Sequence, residues 1–175
     1  MKKLIILALV ISMPIVSQAQ SLFDKYDGQD QVNAIIVNKK MFDLMSKVKM
    51  DAKDKESQQY VNLIKKLDNL KVFMTSNSKI ASDMENTVDK YLKNANLDEL
   101  MRVSEGGKNV KIYVKSGSSD SQIKELLMFI EGANIKGNET VLMSLTGSFD
   151  LDEISSLTNK MNIPGGEVLK KAGKK

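Results

Sequence analysis

The chain has 175 residues, 26 Lys plus Arg against 22 Asp plus Glu, and no Cys, His or Trp. Without thiols or imidazoles there is no thiolate or imidazole metal centre, no Ser-His-Asp or Cys-His catalytic set and no disulfide framework. Arg102 is the one Arg among the cations, so the clustered Arg and stacking aromatics of a nucleic-acid binder are missing.

The first 19 residues read as a secretory leader. Lys2 and Lys3 precede an apolar run, Leu4 to Val16. Ser17-Gln18-Ala19 then places small residues three before and one before a cut after Ala19. The run is shorter than the roughly 20 apolar residues that span a bilayer. The mature chain is expected to start at Gln20, in the periplasm or outside the cell. It is not expected to be a lipoprotein, since no Cys follows the leader. Residues 20–163 are expected to form a single domain, and 164–175 a basic flexible tail. That tail, with Lys170, Lys171, Lys174 and Lys175 against Glu167, carries much of the positive charge. The body between leader and tail is close to neutral. A solvated terminus is the simplest reading of the tail; weak contact with anionic headgroups is the other.

In chain order, residues 21–30 are a lead-in ended by Gly28. Residues 32–37 are β-branched and predict a strand. Asn38 is placed to cap a helix bearing Met41, Phe42, Leu44, Met45 and Val48. A charged stretch, Lys49 to Glu56, precedes a second helix with Tyr60, Val61, Ile64 and Leu67 on one face. Residues 70–75 alternate as a strand, and Ser78 is placed to cap a helix that buries Ile80, Met84, Val88, Leu92 and Ala95. Residues 97–103 fit strand or helix. The Gly106-Gly107 turn before the alternating segment 110–115 favours a hairpin. Ser119 and Gln122 have capping-box spacing, which predicts a helix bearing Ile123, Leu126, Leu127 and Ile130. Residues 140–146 predict a strand. A second capping box, Asp150 and Glu153, opens a final helix with Leu151, Ile154, Leu157 and Met161.

From Leu70 to Thr146 this order is β-α-β-β-α-β. The expectation is therefore an α+β fold with a ferredoxin-like antiparallel sheet core, an extra N-terminal strand–helix unit and a C-terminal helix. Several segments add a resemblance: MFDLM at 41–45, LMRV at 100–103, VKIYVK at 110–115, IKELLMFIEG at 123–132 and VLMSLTGSFDLDEIS at 141–155. Through them the sequence resembles the bacterial exported "domain of unknown function 4252" family. The resemblance implies an exported envelope protein and supplies no catalytic residues. Many members carry a lipoprotein Cys after the leader, and this chain departs from that. Such genes sometimes lie near extracytoplasmic-function sigma factor genes, which implies a link to envelope signalling.

Candidate chemistries are thin. Ser-x-x-Lys occurs at Ser46/Lys49, Ser76/Lys79 and Ser121/Lys124, about as often as 17 Ser and 25 Lys meet by chance, and the companion motifs of a Ser-Lys hydrolase are missing. Asp24, Asp27 and Asp30 lack the spacing of a calcium loop. The methionines fall mostly on predicted core faces. No cofactor or metal is expected. The sheet face carrying Phe73, Arg102, Tyr113 and Leu142 is the candidate binding surface for a protein or small ligand, because an exposed apolar patch marks such sites. Its alternative is a second core layer under an extra helix. A non-catalytic binding module is the leading reading; a hydrolase using Ser, Lys or carboxylates, or a membrane-surface protein using the Lys tail, are the others.

Overall fold

Five consecutive apolar residues, Leu126 to Ile130, decide the architecture. The computed structural model describes residues 20–47, 55–119, 121–134 and 138–154. In it residues 122–134 form a strand where the capping-box spacing predicts a helix. An unbroken apolar run satisfies a helical pattern and a doubly buried strand equally well. As a strand, it sends Leu126, Met128 and Ile130 to one side and Leu127 and Phe129 to the other, and all five are buried. The expected cap residues close a turn instead. Gly117 N donates to Gln122 O (2.6 Å), and Ser118 N donates to Gln122 Oε1 (3.1 Å).

The elements are β1 (Asn33–Asn38), α1 (Lys39–Met45), α2 (Lys55–Lys66), β2 (Leu67–Thr75), α3 (Ser78–Ala95), β3 (Asp98–Glu105), β4 (Lys108–Ser116), β5 (Gln122–Asn134) and β6 (Asn138–Asp150). Short 3₁₀ segments lie at Gln20–Tyr26 and Leu151–Glu153. The strands form one antiparallel sheet in the order β1-β2-β6-β5-β4-β3. The α+β class holds, and the ferredoxin-like order does not. Strands β3 to β6 are a continuous meander, and one helix, α3, carries the chain from β2 to the far edge at β3. The predicted final helix begins with Leu151 and Ile154; Leu157 and Met161 lie outside the described residues, as do Val48 and the tail.

Local chemistry explains the element ends. Asn38 Oδ1 accepts from Met41 N (3.0 Å), capping α1 as the sequence predicts. The cap of α3 is Asn77, one residue before the predicted Ser78: its Oδ1 accepts from Lys79 N (2.9 Å) and Ile80 N (3.2 Å). Gly106 and Gly107 have φ of 58° and 81°, the double left-handed turn that matches strand twist in a two-residue hairpin. Asp150 N donates to Glu153 Oε2 (3.0 Å), and the Asp150 side chain accepts from Glu153 N in return, which forms the second predicted capping box.

The central strands of the sheet are buried on both faces. On the first, Val72, Ile112, Met128 and Met143 pack beneath Phe42 of α1, Tyr60, Leu63 and Ile64 of α2, and Ile154. On the second, Phe73, Leu127, Phe129 and Leu142 pack beneath Met84, Val88, Tyr91 and Ala95 of α3 and beneath Phe23 and Tyr26 of the N-terminal segment. A register shift falls between Ile130 and Ala133 in β5. Gly132 sits there at φ 72°, and a Cβ on it would come 2.4 Å from Gly107 O. The bulge is thus seated against the β3–β4 turn, and only Gly fits. Gly132→Ala should cost about 1–3 kcal/mol, read as a lower urea midpoint with unchanged slope; an unshifted midpoint would contradict this seating.

Candidate functional site: the margin of the second sheet face

Period-two alternation correctly places the four predicted binding residues on one face. Phe73, Leu142 and Phe129 stand side by side across β2, β6 and β5, followed by Lys111 on β4 and Arg102 on β3. Tyr113 is two residues along β4 from Lys111. The structure then divides the set. Phe73 is 1% and Leu142 0% exposed, covered by the second layer. Tyr26 packs on Phe73 with ring centroids 5.7 Å apart, and Phe23 on Tyr91 at 5.1 Å. These two residues are therefore core, and the open-face expectation fails for them. It fails because α3 crosses this face on its way to β3, whereas a ferredoxin-like order would put the helices on the other side.

Arg102 and Tyr113 remain at the accessible margin. The Arg102 side chain is 57% exposed. Its Nε donates to Glu99 Oε1 (3.1 Å) and its Nη2 to Glu99 Oε2 (2.5 Å), a forked pair. Lys111 stands directly opposite Arg102 across the strands. Like charges so placed repel, and Glu85 of α3 offsets this at 3.5 Å from Lys111 Nζ. Tyr113 is half-buried, and its hydroxyl interacts with both Glu99 and Arg102. The Arg102 guanidinium holds the Glu99 carboxyl below its usual range. Burial, then the Glu99 charge, pushes the Tyr113 phenol up. The margin thus presents one aromatic ring beside a compact set of alternating charges.

Further in, polar groups are committed to holding the cover. Lys71, buried on the second face, pairs with Asp24 of the N-terminal segment. The Tyr26 hydroxyl donates to Asp83 Oδ2 (2.8 Å) and sits 2.9 Å from Thr87 Oγ1. Tyr91 of α3 donates to the buried Glu125 carboxyl of β5. Burial pushes the Glu125 carboxyl above the ordinary glutamate value of 4.5, against the opposing pull of the Tyr91 hydrogen bond and of Lys115. Sequence reasoning misses Glu125, because it assigns that residue to a helix surface. Its only signal is that the strand register pairs it with Lys115 and Thr146.

A separate open cleft of about 750 Å³ lies between the start of β1 and the start of α3. Gln31, Asn33, Thr75, Ser76, Asn77 and Lys79 contribute to its walls. Its amides and hydroxyls are partly used by each other: Thr75 Oγ1 donates to Gln31 O (2.8 Å) and Asn77 Nδ2 to Gln31 Oε1 (2.5 Å). Among the described residues no group of three or more Asp or Glu converges as a metal site would require. None of the described helices is long and apolar enough to cross a membrane.

Fold and margin together define an α+β domain whose accessible chemistry lies around the rim of a doubly covered sheet. The family described as Domain of unknown function (DUF4252) matches residues 26–157. The chain belongs to that family. No curated protein and no solved structure matches it.

Glu125 gives the site a testable pH signature. With its pKa raised on folding, the folded state keeps a proton above pH 4.5 that the unfolded chain has released. Its contribution is fully present below 4.5 and is lost as pH rises through the raised value. Glu125→Gln keeps the acceptor for Tyr91 and removes the titration. Urea midpoints should show the variant gaining on the wild type from pH 4 to pH 8; parallel profiles would refute the assignment.

Proposed function

We propose that this chain is an exported domain that acts by binding a partner in the cell envelope, with no catalytic step of its own. The supporting observation is that Arg102, the chain's one Arg, is forked onto Glu99, which stands opposite the half-buried Tyr113 across the strands at an accessible margin. Tyr and Arg are the residue types that dominate interface energetics, since each offers a large rigid surface with directional polar groups. The buried ionisable groups of the same face, Glu125 and Lys71, are tied to Tyr91 and Asp24 and serve the packing.

Export is part of the reading. The cut inferred after Ala19 falls just before the segment Gln20–Tyr26, so Phe23 and Tyr26 would stay with the mature chain and cover the second face. Membership of a family resembling exported envelope proteins agrees with this. A role in envelope signalling rests on the resemblance alone.

The test uses the exported protein, whose intact mass should correspond to a start at Gln20. Arg102→Ala and Tyr113→Ala are both compared with wild type for cross-linked partners in envelope extracts. Arg102→Ala should keep its urea midpoint, Tyr113→Ala should lower it because a ring packed on the second layer is lost, and each folded variant should lose affinity for the captured partner by about thirtyfold, the effect of removing an interface anchor of about 2 kcal/mol. Equal capture by all three proteins, or no capture by wild type, would overturn the proposal.

A further inference from the structure

The open cleft of about 750 Å³ between the start of β1 and the start of α3 plays no part in the partner-binding reading. Arg102 lies on β3, at the opposite edge of the sheet from β1. The volume is within the range of small-molecule sites. Three carboxamides, Gln31, Asn33 and Asn77, and three hydroxyls, Thr75, Ser76 and Ser78, line the cleft. Of the other described lining residues, Val32 is apolar and Lys79 is charged, and none is acidic or aromatic.

One wall is held in a costly conformation. Gln31 has φ 65°. It occupies the third position of the Gln29–Val32 turn, closed by Val32 N donating to Gln29 O (3.1 Å). A positive φ at that position favours Gly or Asn. The other described non-Gly residue with positive φ is Asn96, an ordinary left-handed helix end after α3. No such capping role accounts for Gln31. The β2–α3 junction holds it in place. Thr75 Oγ1 donates to Gln31 O (2.8 Å) and accepts from Asn77 N (3.1 Å), and Asn77 Nδ2 donates to Gln31 Oε1 (2.5 Å). Backbone strain fixed by its surroundings clusters at binding sites. A wall fixed in advance also loses less freedom when a ligand arrives.

The chemistry of the lining selects the ligand. An anion needs donors, and a helix start usually supplies them. Here they are spent: Asn77 Oδ1 accepts from Lys79 N (2.9 Å) and Ile80 N (3.2 Å), and Asn77 O accepts from Ala81 N (2.9 Å). A cation would want a carboxylate, and an apolar ligand more than Val32. What is left is mixed. The side chains of Asn33, Ser76 and Ser78 are exposed and have no hydrogen-bond partner among the described residues. Carboxamides and hydroxyls each donate and accept, as the hydroxyls of a sugar do. We infer that this cleft is a binding site for a neutral, hydroxyl-rich ligand, a sugar ring or short glycan, engaged by the carboxamides of Gln31 and Asn33. With no aromatic ring to stack on, the dissociation constant is on the order of millimolar.

The test titrates triacetylchitotriose, maltotriose and inorganic phosphate into the isotope-labelled protein and follows backbone amide signals by NMR. At least one trisaccharide should shift Gln31, Asn33 and Ser76 to Lys79 saturably, and phosphate at matched ionic strength should not. Asn33→Ala, at an exposed side chain, should keep its urea midpoint and weaken trisaccharide binding about fivefold, the loss of one or two hydrogen bonds. Gln31→Gly should weaken binding to a similar degree while keeping or raising the midpoint, because Gly relieves the positive φ. Lys79→Ala should leave affinity within about twofold, as an ordinary surface substitution does. No saturable shift with either trisaccharide, saturable shifts with phosphate, or a Lys79→Ala loss as large as that of Asn33→Ala would each overturn the inference. The Asn33→Ala arm holds even if Gln31→Gly folds poorly, and no outcome bears on partner capture through Arg102.

Discussion

A sheet whose central strands are apolar on both sides must be covered on both sides, and most of this structure follows from meeting that demand. Strands β5 and β6 lie at the centre, with Leu126 to Ile130 and Val141 to Leu145 buried almost without exception. Such runs belong to strands with no solvent-facing side. One cover comes from α1 and α2, inserted between β1 and β2. The other comes from α3, inserted between β2 and β3, and from the N-terminal segment lying beside it. Export without disulfides would leave the domain to rely on this double layer alone.

The second cover carries most of the buried polar chemistry. Lys71 to Asp24, Tyr26 to Asp83 and Tyr91 to Glu125 each link the sheet or α3 to a neighbouring part of the layer. A buried charge is costly unless it is paired, so these links fix where the N-terminal segment and α3 sit. Their cost is local and their benefit is register. The same layer removes Phe73 and Leu142 from the surface and leaves the accessible chemistry at the margin, with Arg102 and Tyr113.

Much of this was legible in the sequence wherever the signal was local. The Gly106-Gly107 turn, the Asn38 cap, the strands around residues 70–75 and 110–115 and the helix from Ser78 all rest on short-range chemistry, and all are present. So is the alternation that puts Phe73, Arg102, Tyr113 and Leu142 on one face. The helix expected at 123–130 was misread because a doubly buried strand and a buried helix share the same apolar run. That single misassignment also produced the ferredoxin-like order and the uncovered face, since both depend on a second core helix. Which face α3 covers is set by the crossover from β2 to β3, a tertiary fact with no short-range signature. The buried position of Glu125 was hidden for the same reason.

The claim that the second face is a true core layer is tested most directly by removing its N-terminal cover. Phe23 and Tyr26 are almost fully buried there. Phe23→Ala, measured by urea unfolding of residues 20–175, should cost about 3–5 kcal/mol, the loss of a large core side chain and the cavity it leaves. A midpoint within about 0.5 kcal/mol of wild type, the range of an ordinary surface substitution, would mean that the segment does not cover the sheet, and that the face bearing Phe73 and Leu142 is open after all.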